Sequence, residues 1–273
     1  MTKQVKESGS LHFLYETACG RMLLKVLCAP WISKGAGWFL NTRFSKPLVK
    51  NFIRNNNIDL SLFETNDFRC FNDCFTRKIK QENRPILGDA QTLVSPCDGL
   101  LSAYTIQEDL VLPVKQSKYT ISSLLNNPTL AKQFENGICL VFRLCVDHYH
   151  RYAYPIGGEK TENVFIHGKL HTVRPIALRN RPVFTENSRE YTVIHSPIGN
   201  VLQMEVGAML VGKILNHHGA QTVSKGEEKG MFLYGGSTVI LLLEKDCVSI
   251  NQSYFKNTEN GEETPVVLCQ LLS

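Results

Sequence analysis

The sequence contains no long hydrophobic run and no recognisable signal peptide. None of its apolar segments reaches the roughly 18 residues that a membrane-spanning helix needs, so any membrane contact is expected to be peripheral. Its nine cysteines are odd in number and scattered, which indicates a reducing compartment rather than a disulfide framework. Cys70 and Cys74 are spaced like two ligands on a helix, but no second pair with zinc-like spacing occurs. The sequence therefore predicts no metal site.

The chain also lacks dense lysine and arginine runs, internal repeats and low-complexity linkers. A formal net charge of +5 and a pI near 8.7 permit an anionic partner such as a membrane, and nothing indicates nucleic-acid binding. The 273 residues are long enough for a sizeable core. Near residue 90 the pattern changes from helical to strand-rich. We therefore expect an α+β fold, with helices in residues 1–88 and a strand-rich domain in residues 89–273.

The first region is expected to form amphipathic helices over residues 11–52, with basic residues interspersed. These cations are Lys25, Lys34, Arg43, Lys46 and Lys50. The apolar face could enter lipid while the cations face headgroups, or it could pack on the protein's own core. Residues 60–80 predict another helix that places four aromatic side chains in the core. They are Phe63, Phe68, Phe71 and Phe75.

In the second region the pattern predicts short strands separated by turns. The predictions are a strand and turn over residues 94–99, a short helix over 119–125, and strands over 138–146 and 265–271. Glu205 and Lys213 could form an ion pair. Two histidines, one arginine and two tyrosines occur within residues 147–152, at the end of a predicted strand. Such strand ends often carry functional sites, so a site and a structural role are both open for this cluster.

Residues 231–243 place two adjacent glycines before Ser237, between two apolar runs. A hairpin with a Gly-Gly turn is the commonest structure for this pattern. A second interpretation concerns the Gly236–Ser237 bond, because a serine hydroxyl can attack an unhindered, strained carbonyl on its N-terminal side. An N→O acyl shift and β-elimination would then break the chain and convert the serine to a pyruvoyl group. That group is an electron sink for amine substrates, as PLP is elsewhere.

Short motifs along nearly the whole chain, in one order, resemble those of the phosphatidylserine decarboxylase family. They are Phe75-Thr76-Arg77 with Arg84-Pro85, Ser95-Pro96-Cys97-Asp98-Gly99, Tyr149-His150-Arg151 with Pro155, Glu186-Asn187-Ser188-Arg189, Met204-Glu205-Val206-Gly207-Ala208, Lys225-Gly226-Glu227 and Gly236-Ser237-Thr238. Each motif is weak alone, but their common order is specific. The N-terminal region resembles the longer bacterial branch, whose N-terminal helices touch the membrane. The resemblance thus favours the membrane interpretation of residues 11–52.

The resemblance implies a proenzyme that cleaves itself between Gly236 and Ser237. The products would be a β chain of residues 1–236 and an α chain of residues 237–273, which form a heterodimer. The α chain would begin with a covalent pyruvoyl cofactor made from Ser237. In the family an aspartate, a histidine and a serine perform this cleavage, and Asp98 and Ser237 match the first and the last. In such a relay a carboxylate orients an imidazole, which takes the hydroxyl proton.

The histidine of this relay is where the sequence departs from the family. Members commonly read Asp-Tyr-His-Arg-x-His, whereas here His150 matches the first histidine and Ala153 replaces the second. We expect His150 to be the relay base and also the acid that protonates the substrate carbon. His171 could approach from a neighbouring strand instead. His148 would share a face with His150 if the segment between them is extended.

The implied substrate is phosphatidylserine in an anionic membrane. Its amine would form a Schiff base with the pyruvoyl ketone, and loss of CO2 would give phosphatidylethanolamine. Arg151 or a basic residue of the N-terminal helices could bind the lipid phosphate. The expected location is peripheral, on the cytoplasmic side of the cell membrane. The protein could also form a homo-oligomer. Two alternatives remain. One is a pyruvoyl-dependent decarboxylase of a soluble amino acid on the same fold. The other is an uncleaved membrane-binding relative, which is consistent with Ala153 in place of the family's second histidine.

Overall fold

Four helices begin the described part of the chain and antiparallel sheets follow. The structure is a computed structural model, which describes residues 9–107, 111–114, 117–208, 213–235 and 237–273. The first helices are α1 (Gly9–Glu16), α2 (Ala18–Leu27), α3 (Pro30–Leu40) and α4 (Lys46–Asn55). They confirm the helical prediction for residues 11–52. No helix among the described residues is both long and apolar enough to cross a membrane.

Shorter helices lie along the rest of the described chain. They are α5 (Phe71–Phe75), α6 (Ile121–Leu125), α7 (Pro128–Ala131), α8 (Pro175–Asn180), α9 (Val183–Glu186) and α10 (Gln252–Glu259). The strands are β1 (Gly99–Thr105), β2 (Val111–Val114), β3 (Ser117–Thr120), β4 (Ile138–Leu144), β5 (Arg151–Ala153), β6 (Gly158–Lys160), β7 (Val164–Ile166), β8 (Arg189–Ser196), β9 (Gly199–Val206), β10 (Lys213–Asn216), β11 (Gln221–Val223), β12 (Glu228–Leu233), β13 (Ser237–Leu243) and β14 (Thr264–Val266). Helix α6 and strand β4 confirm two predictions, and helices followed by strands confirm the α+β class.

Most of the described strands form one antiparallel sheet that contains the core. Its order is β11-β6-β8-β9-β13-β4-β1-β14, and β7 also pairs with β8. Strand β13 lies in the middle, hydrogen-bonded to β9 on one side and to β4 on the other, and all its residues are buried. A burial pattern without alternation is typical of a central strand that is covered on both faces. A second sheet, β10-β12-β5, covers one face of the first.

The predicted hairpin around the two glycines is wrong. Strand β12 ends at Leu233 and β13 begins at Ser237, but the two strands belong to different sheets and their described residues do not pair. Between them Gly235 has a φ of 130°, which strains any residue with a Cβ. Gly236 lies outside the described residues. The chain therefore passes from one sheet to the other immediately before Ser237.

The predicted helix over residues 60–80 is wrong for most of its length. The described structure has a 3-10 turn at Leu60–Leu62, a bridge between Phe63 and Ile79, and helix α5. Asp59 accepts a hydrogen bond from the Ser61 backbone N–H, a local bond that favours a turn over a helix. The four phenylalanines are nevertheless buried, as predicted.

Two strand predictions differ in their boundaries. Residues 94–99 were expected to form a strand and then a turn, but Val94 makes only an isolated bridge with Leu271 and β1 begins at Gly99. The predicted terminal strand is reduced to β14. These differences leave Asp98 immediately before β1 rather than in a surface turn.

Candidate active site

The end of strand β4 gathers the residues predicted to form the site. In β13, Ser237 lies opposite Leu144, the last residue of β4. On the other side of β4, strand β1 begins directly after Asp98. The carbonyl oxygen of Cys145, just beyond β4, lies 3.1 Å from Nε2 of His150. The sheet thus brings Asp98, His150 and Ser237 to one end of β4.

Ser237 is fully buried, and its Oγ has no hydrogen-bond partner among the described residues. Residues two apart on a strand project to the same face, so Ser237 shares a face with Val239 and with Glu205, which lies opposite Val239 on β9. The second sheet covers this face, where Gln203 donates a hydrogen bond to the carbonyl oxygen of Ala153 at 3.2 Å. Leaving a buried hydroxyl unpartnered costs about 1–3 kcal/mol, so this position calls for a chemical explanation.

His150 is a buried, neutral imidazole. A carbonyl oxygen only accepts hydrogen bonds, so Nε2 carries the proton that it donates to Cys145, and Nδ1 is bare. Nδ1 is buried, and none of the described residues forms a hydrogen bond with it. Burial, followed by the neighbouring Arg77 and His148, lowers the pKa of His150 to about 3. At neutral pH the ring is therefore uncharged and has a free lone pair.

Aromatic rings connect His150 to the segment that precedes Ser237. The imidazole stacks on Phe75 of α5, with ring centroids 4.0 Å apart. Tyr234 meets the Phe75 ring edge-on at 5.3 Å and the Phe71 ring at 5.0 Å. Helix α5 therefore fixes both the imidazole and the chain that leads to Ser237.

The Asp98 carboxylate binds groups other than a histidine. The Arg84 guanidinium donates to it at 3.1 and 3.4 Å, and the Leu268 backbone N–H donates at 2.8 Å. Its negative charge opposes the lowering of the His148 pKa by burial. Among the described hydrogen bonds, none joins Asp98 to a histidine. Asp98 thus lies at the site without the direct carboxylate–imidazole bond of the expected relay.

His148 does not share an extended strand with His150. Residues 146–148 form a turn, and His148 Nδ1 accepts a hydrogen bond from the Cys145 N–H at 3.2 Å. Burial lowers the pKa of His148. Potential metal-ligand atoms of Cys145, Asp147 and His148 lie within 4.8 Å of one another, a grouping that the sequence spacing did not indicate. Arg143 donates to the Cys145 sulfur at 3.3 Å, and its positive charge opposes a cation there.

His171 belongs to a different cluster, which joins the N-terminal helices to the sheet region. Its Nδ1 lies 3.4 Å from Cys28 Sγ and 3.5 Å from Tyr15 Oη. Its Nε2 is 3.2 Å from a Glu186 carboxylate oxygen, although the two atoms are not aligned for a hydrogen bond. Burial lowers the pKa of His171. None of its described contacts involves the end of β4.

A cavity of about 270 Å³ lies beside Ala153, the position of the family's second histidine. The small Ala153 side chain lines it together with Arg84 and Arg151. Arg151 donates a hydrogen bond to Glu228 at 2.7 Å, so its charge is paired. The space that a histidine would take therefore lies next to the arginine that binds Asp98.

A fully buried ion pair lies on the same face of the sheet as Ser237. Lys229 Nζ is 2.5 Å from Glu205 Oε2, and neither side chain is exposed. The predicted partner of Glu205, Lys213, is instead exposed at the start of β10, so that prediction is wrong. The register of β12 against β5 shifts around Lys229, and such a bulge re-aims a side chain. Such a bulge cannot be predicted from the alternation of polar and apolar residues in the sequence.

Comparison with known proteins gives relatives over nearly the whole chain. A sequence model of the family described as phosphatidylserine decarboxylase matches residues 71–264. The chain belongs to the phosphatidylserine decarboxylase family. The phosphatidylserine decarboxylase proenzyme 2 of Clostridium acetobutylicum is 41% identical over 266 residues, covering 97% of this chain and 91% of that protein. Phosphatidylserine decarboxylase proenzymes of Clostridium botulinum and Clostridium tetani are 40% and 39% identical, covering 94% of this chain and 90% and 89% of theirs. Family membership therefore extends to the N-terminal helices.

Proposed function

We propose that this protein is a phosphatidylserine decarboxylase, made as a proenzyme that cleaves itself between Gly236 and Ser237. The observation that carries the proposal is the buried, unpartnered hydroxyl of Ser237 at the same end of β4 as His150, whose buried Nδ1 is bare. Relatives named as proenzymes support it. The products are a β chain of residues 1–236 and an α chain of residues 237–273.

His150 takes the proton of the Ser237 hydroxyl on Nδ1. The hydrogen bond from Nε2 to Cys145 and the stack on Phe75 hold the ring in one orientation. The direction of the Nδ1 lone pair is therefore fixed before the proton transfer begins. Ser237 Oγ then attacks the carbonyl carbon of residue 236, and an ester replaces the amide. Because the pKa of His150 is low, its protonated ring is a strong acid. It readily gives the proton to the nitrogen that leaves.

Asp98 has an anchoring role in this proposal. Its bond to the Leu268 N–H joins the β chain to the α chain, and its bonds to Arg84 fix the carboxylate. Its negative charge also acts on His148, whose Nδ1 is bonded to the Cys145 N–H. Asp98 is thus a positioning residue for the turn after β4, while His150 is the base.

The surroundings of residue 237 fit a pyruvoyl group. Ser237 is fully buried, and conversion of the side chain breaks no hydrogen bond to the described residues, since Oγ has no partner among them. When formed at residue 237, a pyruvoyl group would supply an electron sink for decarboxylation of an amine substrate. Decarboxylation consumes one proton, which His150 Nδ1 would take from outside the site and pass to the substrate carbon. Arg151, at the cavity beside Ala153, is the proposed ligand of the lipid phosphate, which would replace Glu228 as its partner.

The N-terminal helices present large apolar side chains to solvent, and we assign this surface to the membrane. The most exposed are Met22, Trp31, Trp38 and Phe44. Basic residues of the same helices and of the turn between them attract anionic headgroups on the cytoplasmic side. Residues 1–88 are accordingly the membrane-associating region and residues 89–273 the catalytic domain.

Intact mass spectrometry of the wild type beside Ser237→Ala tests the processing. We expect two chains from the wild type, the smaller one with a pyruvoyl group at its N-terminus, and one whole chain from the variant. A folded wild type that stays whole would contradict the proposal and favour an uncleaved membrane-binding relative. Release of CO2 from phosphatidylserine vesicles, but not from free serine, tests the lipid substrate against a soluble amino acid.

A further inference from the structure

The carboxylate of Glu205 is held by one oxygen and free at the other. Oε2 accepts hydrogen bonds from Lys229 at 2.5 Å and from Asn216 at 3.3 Å. Oε1 is buried and has no hydrogen-bond partner in the part of the chain that the structure describes. Apolar residues can often replace a buried ion pair at no loss of stability, so its presence here calls for a reason other than stability. A carboxylate that is anchored on one side and open on the other can receive a proton.

The open carboxylate lies within reach of residue 237. Glu205 is opposite Val239, and Ser237 is two residues away on the same strand and the same face. Such diagonal neighbours in an antiparallel pair are about 7–8 Å apart, which a glutamate side chain can span. Both side chains are fully buried between the two sheets.

Processing requires two protons to be removed from residue 237, and they leave from different atoms. The first leaves the hydroxyl when the ester forms. The second leaves Cα during elimination: the Cα–H bond breaks, its electrons form the Cα–Cβ double bond, and the Cβ–Oγ bond breaks. The electrons of that last bond leave with the Gly236 carboxylate. His150 is assigned to the first proton, and the carboxylate of Glu205, on the same face of the sheet as the side chain of residue 237, is the candidate base for the second.

We propose that Glu205 is the base that removes the Cα proton of residue 237, and that Lys229 is a positioning residue that keeps this carboxylate ionised and oriented. This inference rests on the proposed self-processing. Burial raises the pKa of Glu205 while Lys229 opposes the shift, which makes the carboxylate a stronger base than an exposed one. Matching a general base to its proton contributes about 10²–10⁴ in rate.

The test is to trap the ester in Glu205→Gln. We expect this variant to form the ester but to yield pyruvoyl at least about 100-fold more slowly than the wild type. The ester has the mass of the whole chain, and hydroxylamine cleaves it into a hydroxamate of residues 1–236 and a fragment that begins with an unblocked Ser237. Ser237→Ala, which forms no ester, is the control that resists hydroxylamine. A folded Glu205→Gln chain that is whole and hydroxylamine-resistant would assign Glu205 to an earlier step and overturn the proposal.

The double variant Glu205→Leu/Lys229→Met separates a chemical role from a structural one. It removes both charges together, so no unpaired charge is left in the core, and we expect it to fold and to accumulate the same hydroxylamine-sensitive ester. Pyruvoyl formation at the wild-type rate in this variant overturns the proposal. Failure of the double variant to fold would also overturn it, because the pair would then be a structural requirement. If the wild type itself is not processed, the proposed function fails instead.

Discussion

The imidazole of His150 lies nearly parallel to the ring of Phe75, with an interplanar angle of 24° and centroids 4.0 Å apart. The same phenylalanine contacts Tyr234, three residues before Ser237. One ring therefore sets the position of the proposed base and of the chain before the proposed cleavage site. Phe75 lies in a motif of the family, and its burial in α5 explains why that motif, distant in sequence, belongs to the site.

Replacing His150 by glutamine is expected to stop processing without unfolding the protein. The glutamine amide can keep the hydrogen bond to the Cys145 carbonyl but cannot take the hydroxyl proton, so we expect the rate to fall about 10²–10⁴-fold. Mass spectrometry over time measures the rate. His171→Gln is the matched control, because that buried histidine contacts Cys28 and Tyr15 instead, and we expect it to be processed. Processing of His150→Gln at the wild-type rate would exclude His150 as the base.

Acid is expected to destabilise the protein through His150. Its folded pKa of about 3 lies below the unfolded value of about 6.5, so the unfolded chain binds the proton more tightly. The contribution to stability is complete above pH 6.5 and is lost as the pH falls toward 3, at about 1.4 kcal/mol per pH unit. Urea unfolding of Ser237→Ala at pH 6.5 and 5.5, beside Ser237→Ala/His150→Gln, isolates this slope. Equal slopes in the two proteins would contradict the assignment.

A histidine at position 153 is expected to rescue the loss of His150. The cavity beside Ala153 can hold the ring, close to Arg84 and the Asp98 carboxylate that it binds. We expect Ala153→His in the His150→Gln background to recover processing by about tenfold or more, because a positioned imidazole contributes at least that much. Ala153→Gln in the same background is the size control. No recovery would show that the cavity does not face the bond that is cut.

The two products are expected to stay together after cleavage. Strand β13 is paired on both sides by strands of the β chain, β14 pairs with β1, and Glu263 binds Arg143. Native mass spectrometry should therefore give a complex of both chains, which separates only in denaturant. Refolding of the separated chains should depend on concentration, whereas Ser237→Ala should refold independently of it. Loss of the α chain during gel filtration would contradict this expectation.

Two tryptophans are expected to carry much of the membrane affinity. Trp31 and Trp38 are 67% and 73% exposed, and burying one large apolar side chain in lipid contributes about 1.5–3 kcal/mol. Trp31→Glu/Trp38→Glu should therefore bind anionic vesicles at least about tenfold more weakly and still be processed. The control is Val164→Glu/Phe165→Glu, two exposed apolar residues of β7 outside the N-terminal helices. Equal losses in the two variants would argue against an N-terminal membrane surface.

The sequence could predict elements whose pattern is local. Helices before residue 56, strand β4 and helix α6 follow from hydrophobic spacing and their boundaries are close to those found. Four phenylalanines were expected in the core, and they are buried, but their spacing does not distinguish a helix from turns that bury rings. Two glycines between apolar runs are expected both in a hairpin and in a chain that passes from one sheet to another. Only the pairing of the neighbouring strands distinguishes these two structures.

The family motifs proposed Asp98, His150 and Ser237 as site residues, and their catalytic roles stay predictions. Strand registers bring Asp98 and Ser237 to one end of β4, and a hydrogen bond to Cys145 brings His150 there. The partner of Asp98 depends on Arg84, fourteen residues earlier, which no local pattern connects to it. Similarly, Lys229 pairs with Glu205 because a bulge turns it inward, which sequence alternation cannot show.

The central position of β13 determines whether a damaged cofactor at residue 237 can be replaced. A cofactor that binds reversibly can be replaced when it is damaged, but residue 237 begins a strand that is enclosed by neighbours on both sides. A pyruvoyl group formed there, as proposed, would be made once in the life of the molecule. If a stray amine or reductant inactivates it, no fresh group can enter, and only newly synthesised chains restore activity. The number of active sites in the cell would then depend on the rate at which new chains are synthesised, because an inactivated chain could not be reloaded with cofactor.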